Sequence, residues 1–157
     1  MKIKLIVVGK TNTAYLKTGE IDYEERLKHY CKFEELIIPP IKNGGKLSHK
    51  ALKIKEEKLI LKNIDPMDYV ILLDEKGKSF SSIDFSNLLN QKLIESNKRL
   101  VFVIGGAFGF SEEVYHRADS KLSLSKMTFS HQMIRLIFKE QFYRAFTILK
   151  GEKYHHE

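Results

Sequence analysis

Five consecutive apolar residues, Leu100–Ile104, run straight into the pair Gly105-Gly106. A strand with one wet face alternates apolar and polar residues, so an unbroken run belongs to a strand covered on both faces. Covering it takes helices above and below, and the chain supplies them. Strand-like stretches at 3–9, 33–40, 69–74, 99–106 and 121–125 are interleaved with helical patterns at 21–32, 48–63, 82–95 and 130–150. Pro39-Pro40 stops the second strand, Asp65-Pro66 breaks the chain, and Gly77 reads as a turn after the third strand. Ser48, Ser111 and Ser130 stand where helix N-caps belong, Ser111 opens a short helix, and Gly151 stands where the last helix should end. The expectation is an α/β fold, a mostly parallel sheet flanked by helices, in one domain over residues 1–157.

Composition narrows the setting. The longest apolar runs are strand-sized, well short of a membrane span, so no membrane partner is expected. The opening run of about five apolar residues ends in Gly9 without a cleavage signal and reads as a strand. The single cysteine, Cys31, excludes an intramolecular disulfide and any paired-cysteine metal site, which favours the cytoplasm. The formal charge is +7, and seven lysines lie between Lys42 and Lys62 against Glu56 and Glu57. Such a surface suits a polyanion, and equally a solvated lysine-rich helix; charge alone leaves both open.

The last helical pattern carries apolar residues over well over a third of its circumference, among them Met133, Leu136, Phe138, Phe142 and Phe146. Packing on one sheet needs only a stripe. Either the helix is buried on several sides or its outer face meets a second copy, and the short chain favours a homodimer through this helix.

Ligands of open α/β sheets bind beyond the carboxyl ends of the strands, where "VIGGAFGFSEEV" places a glycine loop between strand and helix. Its spacing is not the dinucleotide G-x-G-x-x-G, it follows a late strand, and no acidic residue lies about twenty positions on to hold a ribose. No G-K-[ST] closes it as a phosphate loop. Glycines there admit a ligand to the backbone, or serve a tight turn alone. The second loop, "LSLSKMTFSHQ", offers hydroxyls (Ser123, Ser125, Thr128) between the apolar walls of Met127 and Phe129, a lining for a flat purine or a connector that caps the next helix.

Taken together, "FVIGGAFGFSEEV" and "LSLSKMTFSHQMIRLIFKEQFYRAFTILKGEKYHHE", with "KIKLIVVGK" at the start and "ILLDEKGK" in the middle, resemble the RlmH family of SPOUT-class methyltransferases of large-subunit ribosomal RNA. The resemblance spans the whole chain. It implies a C-terminal trefoil knot, a homodimer, S-adenosylmethionine as methyl donor, and N3 of a pseudouridine in helix 69 of 23S rRNA, on the assembled ribosome, as acceptor. No DNA substrate is expected. By motif, the cofactor contacts fall on Leu73, Gly105, Leu124, Ser125, Lys126, Met127, Thr128 and Phe129. S-adenosylmethionine carries no phosphate, which fits a glycine loop without a gripping lysine. Transfer RNA as acceptor, or an RNA-binding module without catalysis, remain alternatives, since these motifs report the donor only.

The terminal "YHHE" matches the family's closing Tyr-His-x-Glu, although His156 stands where the resemblance implies Arg. Tyr154, His155, His156 and Arg135 are therefore the candidate catalytic residues. Methyl transfer to N3 requires loss of its proton, and imidazole is the side chain that changes charge near neutral pH. Arg135 offers a cation for RNA phosphate or the developing anion. Arg144 follows Glu140 by four residues, which favours a structural ion pair. His131 is a weaker candidate to face a ligand, and His29, His49 and His116 read as surface residues. No metal-binding pattern occurs.

Overall fold

The computed structural model describes residues 2–95 and 99–156. Five strands, β1 (Lys2–Val8), β2 (Lys32–Ile38), β3 (Tyr69–Ser79), β4 (Leu100–Ile104) and β5 (Ser120–Ser123), form one sheet in the order β2-β1-β4-β3-β5. Every pairing is parallel. The helices are α1 (Ala14–Leu27), α2 (His49–Lys62), α3 (Ser82–Glu95), α4 (Glu112–Arg117) and α5 (Met133–Leu149). No described helix is long and apolar enough to cross a membrane.

Period-2 alternation divides β1 between two cores. Ile3, Leu5 and Val7 face the layer of α1, α3 and α5, while Ile6 and Val8 face α2 and α4. The run Leu100–Ile104 does the same, and all five side chains are buried. Phe102 anchors the first core, with Phe138 at 4.9 Å and Phe142 at 5.5 Å between ring centroids. Each such aromatic pair contributes about 0.5–1.5 kcal/mol beyond area burial.

Ser48 and Ser111 cap α2 and α4, accepting from the Ala51 and Val114 amides. Ser130 Oγ accepts from the Met133 amide at 3.1 Å, so it caps α5 from just outside the assigned helix. Gly151 (φ 69) closes α5: its amide donates to Ile148 and that of Glu152 to Thr147, satisfying carbonyls the helix leaves open.

Two elements differ from the sequence reading. The first helix begins at Ala14, not 21, and ends at Leu27, so Tyr30 and Cys31 lie beyond it. Gly19, a poor helix former, obscures the pattern. It is tolerated because a Cβ there would lie 2.9 Å from Leu136 of α5, so the two helices meet at this point. The third strand does not turn at Gly77 but continues to Ser79, with a register shift between Leu73 and Lys78 that lets it pair twice with β5. A Cβ at Gly77 would sit 2.7 Å from the Lys121 backbone carbon, so this close approach needs glycine. Gly77→Ala is expected to cost roughly 1–3 kcal/mol. Urea unfolding should show a lower midpoint at unchanged slope, and an unmoved midpoint would show that the pairing does not depend on the close approach.

Helix α5 has no fully exposed residue from Met133 to Leu149. It lies on the sheet between α1 and α3, so its apolar excess is covered on several sides within one chain and does not itself call for a second copy.

Candidate functional site

The carboxyl ends of β4, β3 and β5 open into a cleft of about 690 Å³. Three segments wall it. Leu73, Asp74, Glu75 and Lys76 come from β3, residues 105–110 form the glycine loop, and Leu124 to Ile134 lead from β5 into α5.

The glycine loop is a tight turn. The Gly109 amide donates to the Gly106 carbonyl at 3.2 Å, with Gly109 in the left-handed region at φ 81. A Cβ on Gly105 would meet the Phe110 ring at 2.9 Å, and one on Gly106 the Glu56 carboxylate at 2.9 Å. The turn is thus pressed between a core aromatic and α2. The second loop is held by its own hydroxyls. Ser123 Oγ donates to the Ser125 carbonyl at 2.9 Å, Ser125 Oγ accepts from the Met127 amide at 2.9 Å, and Thr128 Oγ1 donates to Glu75 at 2.8 Å. Asp74 accepts from the Tyr115 hydroxyl and from the Lys76 amide. Burial and the Asp74 hydrogen bond both push the Tyr115 pKa up, so the phenol stays a donor.

Leu73, Gly105, Leu124, Ser125, Met127, Thr128 and Phe129 therefore converge on one cleft, while Lys126 is not among its lining residues. His131 and Ile134 also face it. Burial, and then the nearby Arg135 charge, lower the His131 pKa and favour neutral imidazole. Sequence reasoning missed Asp74, Glu75 and Tyr115 as lining side chains; carboxylates directly after a buried strand run are the signal that would have found the first two. Apolar walls (Ile104, Leu122, Leu124) and backbone amides suit a flat heterocycle, and two carboxylates balance the two lysines, Lys53 and Lys76. That balance suits a ligand carrying cationic groups and hydroxyls better than a polyphosphate. No group of three or more His, Cys, Asp or Glu that could hold a metal occurs among the described residues.

The four candidate catalytic residues lie elsewhere; none lines this cleft. Arg135 is 1% exposed, and its guanidinium donates to the Val8 and Gly9 carbonyls at 2.6 and 2.8 Å. Burial lowers its pKa, and Glu20 and Glu35 offset part of this. The structure places Arg135 behind the cleft, tying the end of β1, where RNA phosphate has no access to it. The tail packs over α1 and α5. Tyr154 Oη lies 3.0 Å from Tyr23 Oη and 3.1 Å from Glu140, its ring meets Tyr143 edge-on at 4.8 Å, and Arg144 sits 4.8 Å above it. Burial and the Tyr23 hydroxyl raise the Tyr154 pKa. Arg144 pairs with Glu140 at 2.5 Å, as the four-residue spacing suggests, and approaches His155 Nδ1 at 3.3 Å. His156 is exposed, and Glu157 lies outside the described residues.

A family model described as "Predicted SPOUT methyltransferase" matches residues 1–155. A protein named Ribosomal RNA large subunit methyltransferase H from Parabacteroides distasonis is 59% identical over 157 residues, covering 100% of both chains. Proteins of the same name from Christiangramia forsetii and Bacteroides fragilis are 56% and 54% identical, covering 99% and 100% of this chain and the same shares of their own.

Proposed function

The chain belongs to the SPOUT methyltransferase family, among the proteins named large-subunit methyltransferase H, and from that premise we propose that it methylates ribosomal RNA of the large subunit. The finer reading is N3 of a pseudouridine in helix 69 of 23S rRNA, on the assembled ribosome in the cytoplasm. The observation that carries methyl transfer is the cleft, where residues of two separate loops converge at the carboxyl ends of the strands; the acceptor rests on the family resemblance.

S-adenosylmethionine would supply an electrophilic methyl on a sulfonium. Leu73, Leu124, Met127 and Phe129 provide apolar faces for its adenine, the Gly105–Gly106 backbone and the Ser125 loop provide hydrogen bonds, and Asp74 and Glu75 are carboxylates for its hydroxyl or cationic groups. Lys126 does not line the cleft, so its place among the cofactor contacts rests on the family resemblance alone. The C-terminal segment is read as the family's trefoil knot, which accords with β4 lying between β1 and β3 while β5 lies beyond β3.

The tail and the cleft of one chain do not meet, which supports a homodimer along the α5 face, each tail serving its partner's cleft. In that arrangement His155 or His156 takes the N3 proton, Tyr154 orients the tail, and Arg135 acts indirectly, holding the end of β1 behind the cofactor. The main contribution of these groups is orientation and proton removal.

Calorimetry with S-adenosylmethionine should give saturable heat, and mass spectrometry of 23S rRNA from cells lacking the protein should show one pseudouridine without its methyl group. Absence of heat would leave an RNA-binding module without catalysis. Heat with unchanged 23S rRNA would move the acceptor to another RNA.

A further inference from the structure

We infer that Phe108 and the first turns of α2 form the RNA-docking lip of the cleft: an unpaired nucleobase stacks on Phe108, and Lys50 and Lys53 hold the phosphates beside it. The RNA substrate class rests on the function proposed above; the lip itself rests on three observations.

Phe108 lines the cleft yet remains 44% exposed. The core uses Phe110, two residues on and buried; Phe108 is left at the tip of the glycine turn. Its face already carries a planar nitrogen heterocycle, the His49 imidazole, at 3.7 Å between centroids and 18° between planes. That is the geometry a stacked base would take. His49 is the first residue of α2, just after Gly44-Gly45 and the left-handed Asn43 (φ 59), so a base replacing it disturbs only a helix end.

The lysines of this stretch are not held in ion pairs. Lys28, Lys92 and Lys139 pair with carboxylates, but none of the seven lysines from Lys42 to Lys62 makes an ion pair among the described residues. Glu56 does not neutralise them, because it is turned inward against Gly106 and only 8% exposed, and burial raises its pKa. Lys53 lines the same cleft as Phe108, and on a helix Lys50 is its neighbour at three residues' spacing. Lysines alone would suit any polyanion. An exposed aromatic that shares its cleft with a lysine free of ion pairs suits a single-stranded nucleic acid with splayed bases.

The test is fluorescence anisotropy with a labelled RNA hairpin carrying an unpaired pyrimidine loop. Phe108→Leu should weaken binding roughly 5- to 150-fold, the range for one stacked base, while Phe108→Tyr keeps wild-type affinity. Lys50→Gln with Lys53→Gln should lower the slope of log affinity against log salt by about 1–2. In turnover assays on ribosomes, the KM for ribosomes should rise more in Phe108→Leu than the KM for S-adenosylmethionine. Equal affinity of Phe108→Leu and wild type, an unchanged salt slope, or parallel movement of both KM values would overturn the proposal, as would displacement of the hairpin by polyglutamate equally well with and without Phe108. Anisotropy requires neither cofactor nor turnover. Loss of methyl transfer with intact Phe108-dependent RNA binding would therefore sink the enzymatic reading alone, and the converse would sink the lip alone.

Discussion

Deleting residues 154 to 157 is expected to reduce methyl transfer to unmodified ribosomes at least about a hundredfold, the scale of lost general acid–base catalysis, while S-adenosylmethionine binds within about twofold of wild type. The expectation follows from where the two parts lie. The residues selected for the cofactor, Lys126 excepted, line a cleft at the ends of β3, β4 and β5, whereas Tyr154 and His155 pack on Tyr23, Tyr143 and Arg144. Removing the tail leaves the cleft wall untouched. A milder variant guards against a folding artefact: Tyr154→Phe keeps the ring against Tyr143 and loses only the hydroxyl shared with Tyr23 and Glu140. Mixing separates the arrangements. A tail-less chain combined with Gly105→Val, in which the new side chain collides with Phe110, restores one complete site if the tail serves the partner. If two inactive chains stay inactive when mixed, the tail does not act across a dimer, and normal turnover by the tail-less chain removes it from the reaction altogether.

What could be read from the sequence was local. The run Leu100–Ile104, the serine caps at Ser48 and Ser111, the glycine turn and the Glu140–Arg144 pair each depend on a few neighbouring residues, and each appears in the structure. What was missed depends on distant partners. "DEKGK" reads as a turn because its residues are polar and flexible, but β5 pairs with it and tertiary pairing overrides propensity. Gly19 interrupts a helical pattern that only Leu136, over a hundred residues away, explains. Arg135 reads as a cation for RNA phosphate or a developing anion because nothing near it in sequence announces the Val8 and Gly9 carbonyls. The two loops that wall the cleft were legible by pattern, from glycines and hydroxyls after strands, while their reading as cofactor contacts came from resemblance; that tail and cleft lie apart in one chain was not legible at all.

Lys139→Met is expected to destabilise the protein by about 3–5 kcal/mol at pH 8, the usual cost of removing one partner from a buried ion cluster. Lys139 is 0% exposed, with Nζ 2.9 Å from Glu20 and 2.5 Å from Glu24 and Glu35 also in contact. Burial alone would lower its pKa, but the carboxylates, Glu35 foremost, outweigh this and raise it. The pairing is therefore complete at neutral pH and lost only as pH rises through that raised value. The Glu35 pKa is raised as well, for the opposite reason: burial outweighs the lowering by Lys139, so its proton is held more tightly in the folded state. A carboxyl raised in this way favours the fold below its unfolded pKa and loses that contribution as pH rises through the folded one. Without Lys139, Glu35 loses the cation that lowers its pKa, and that pKa should rise further. The deficit of the variant should therefore grow with pH and shrink towards pH 5 as Glu35 takes up its proton. Urea unfolding of both proteins between pH 5 and 8 checks this, and a pH-independent difference would mean that the loss is packing, not charge. Adding Glu35→Leu should recover part of the loss at pH 8. The consequence for activity comes through α5 itself. This one helix presents Ile134 to the cleft, ties β1 through Arg135, holds α1 through Lys139 and seats the tail through Glu140 and Arg144. Loosening its middle should weaken cofactor binding and tail placement together, whereas the tail deletion separates them.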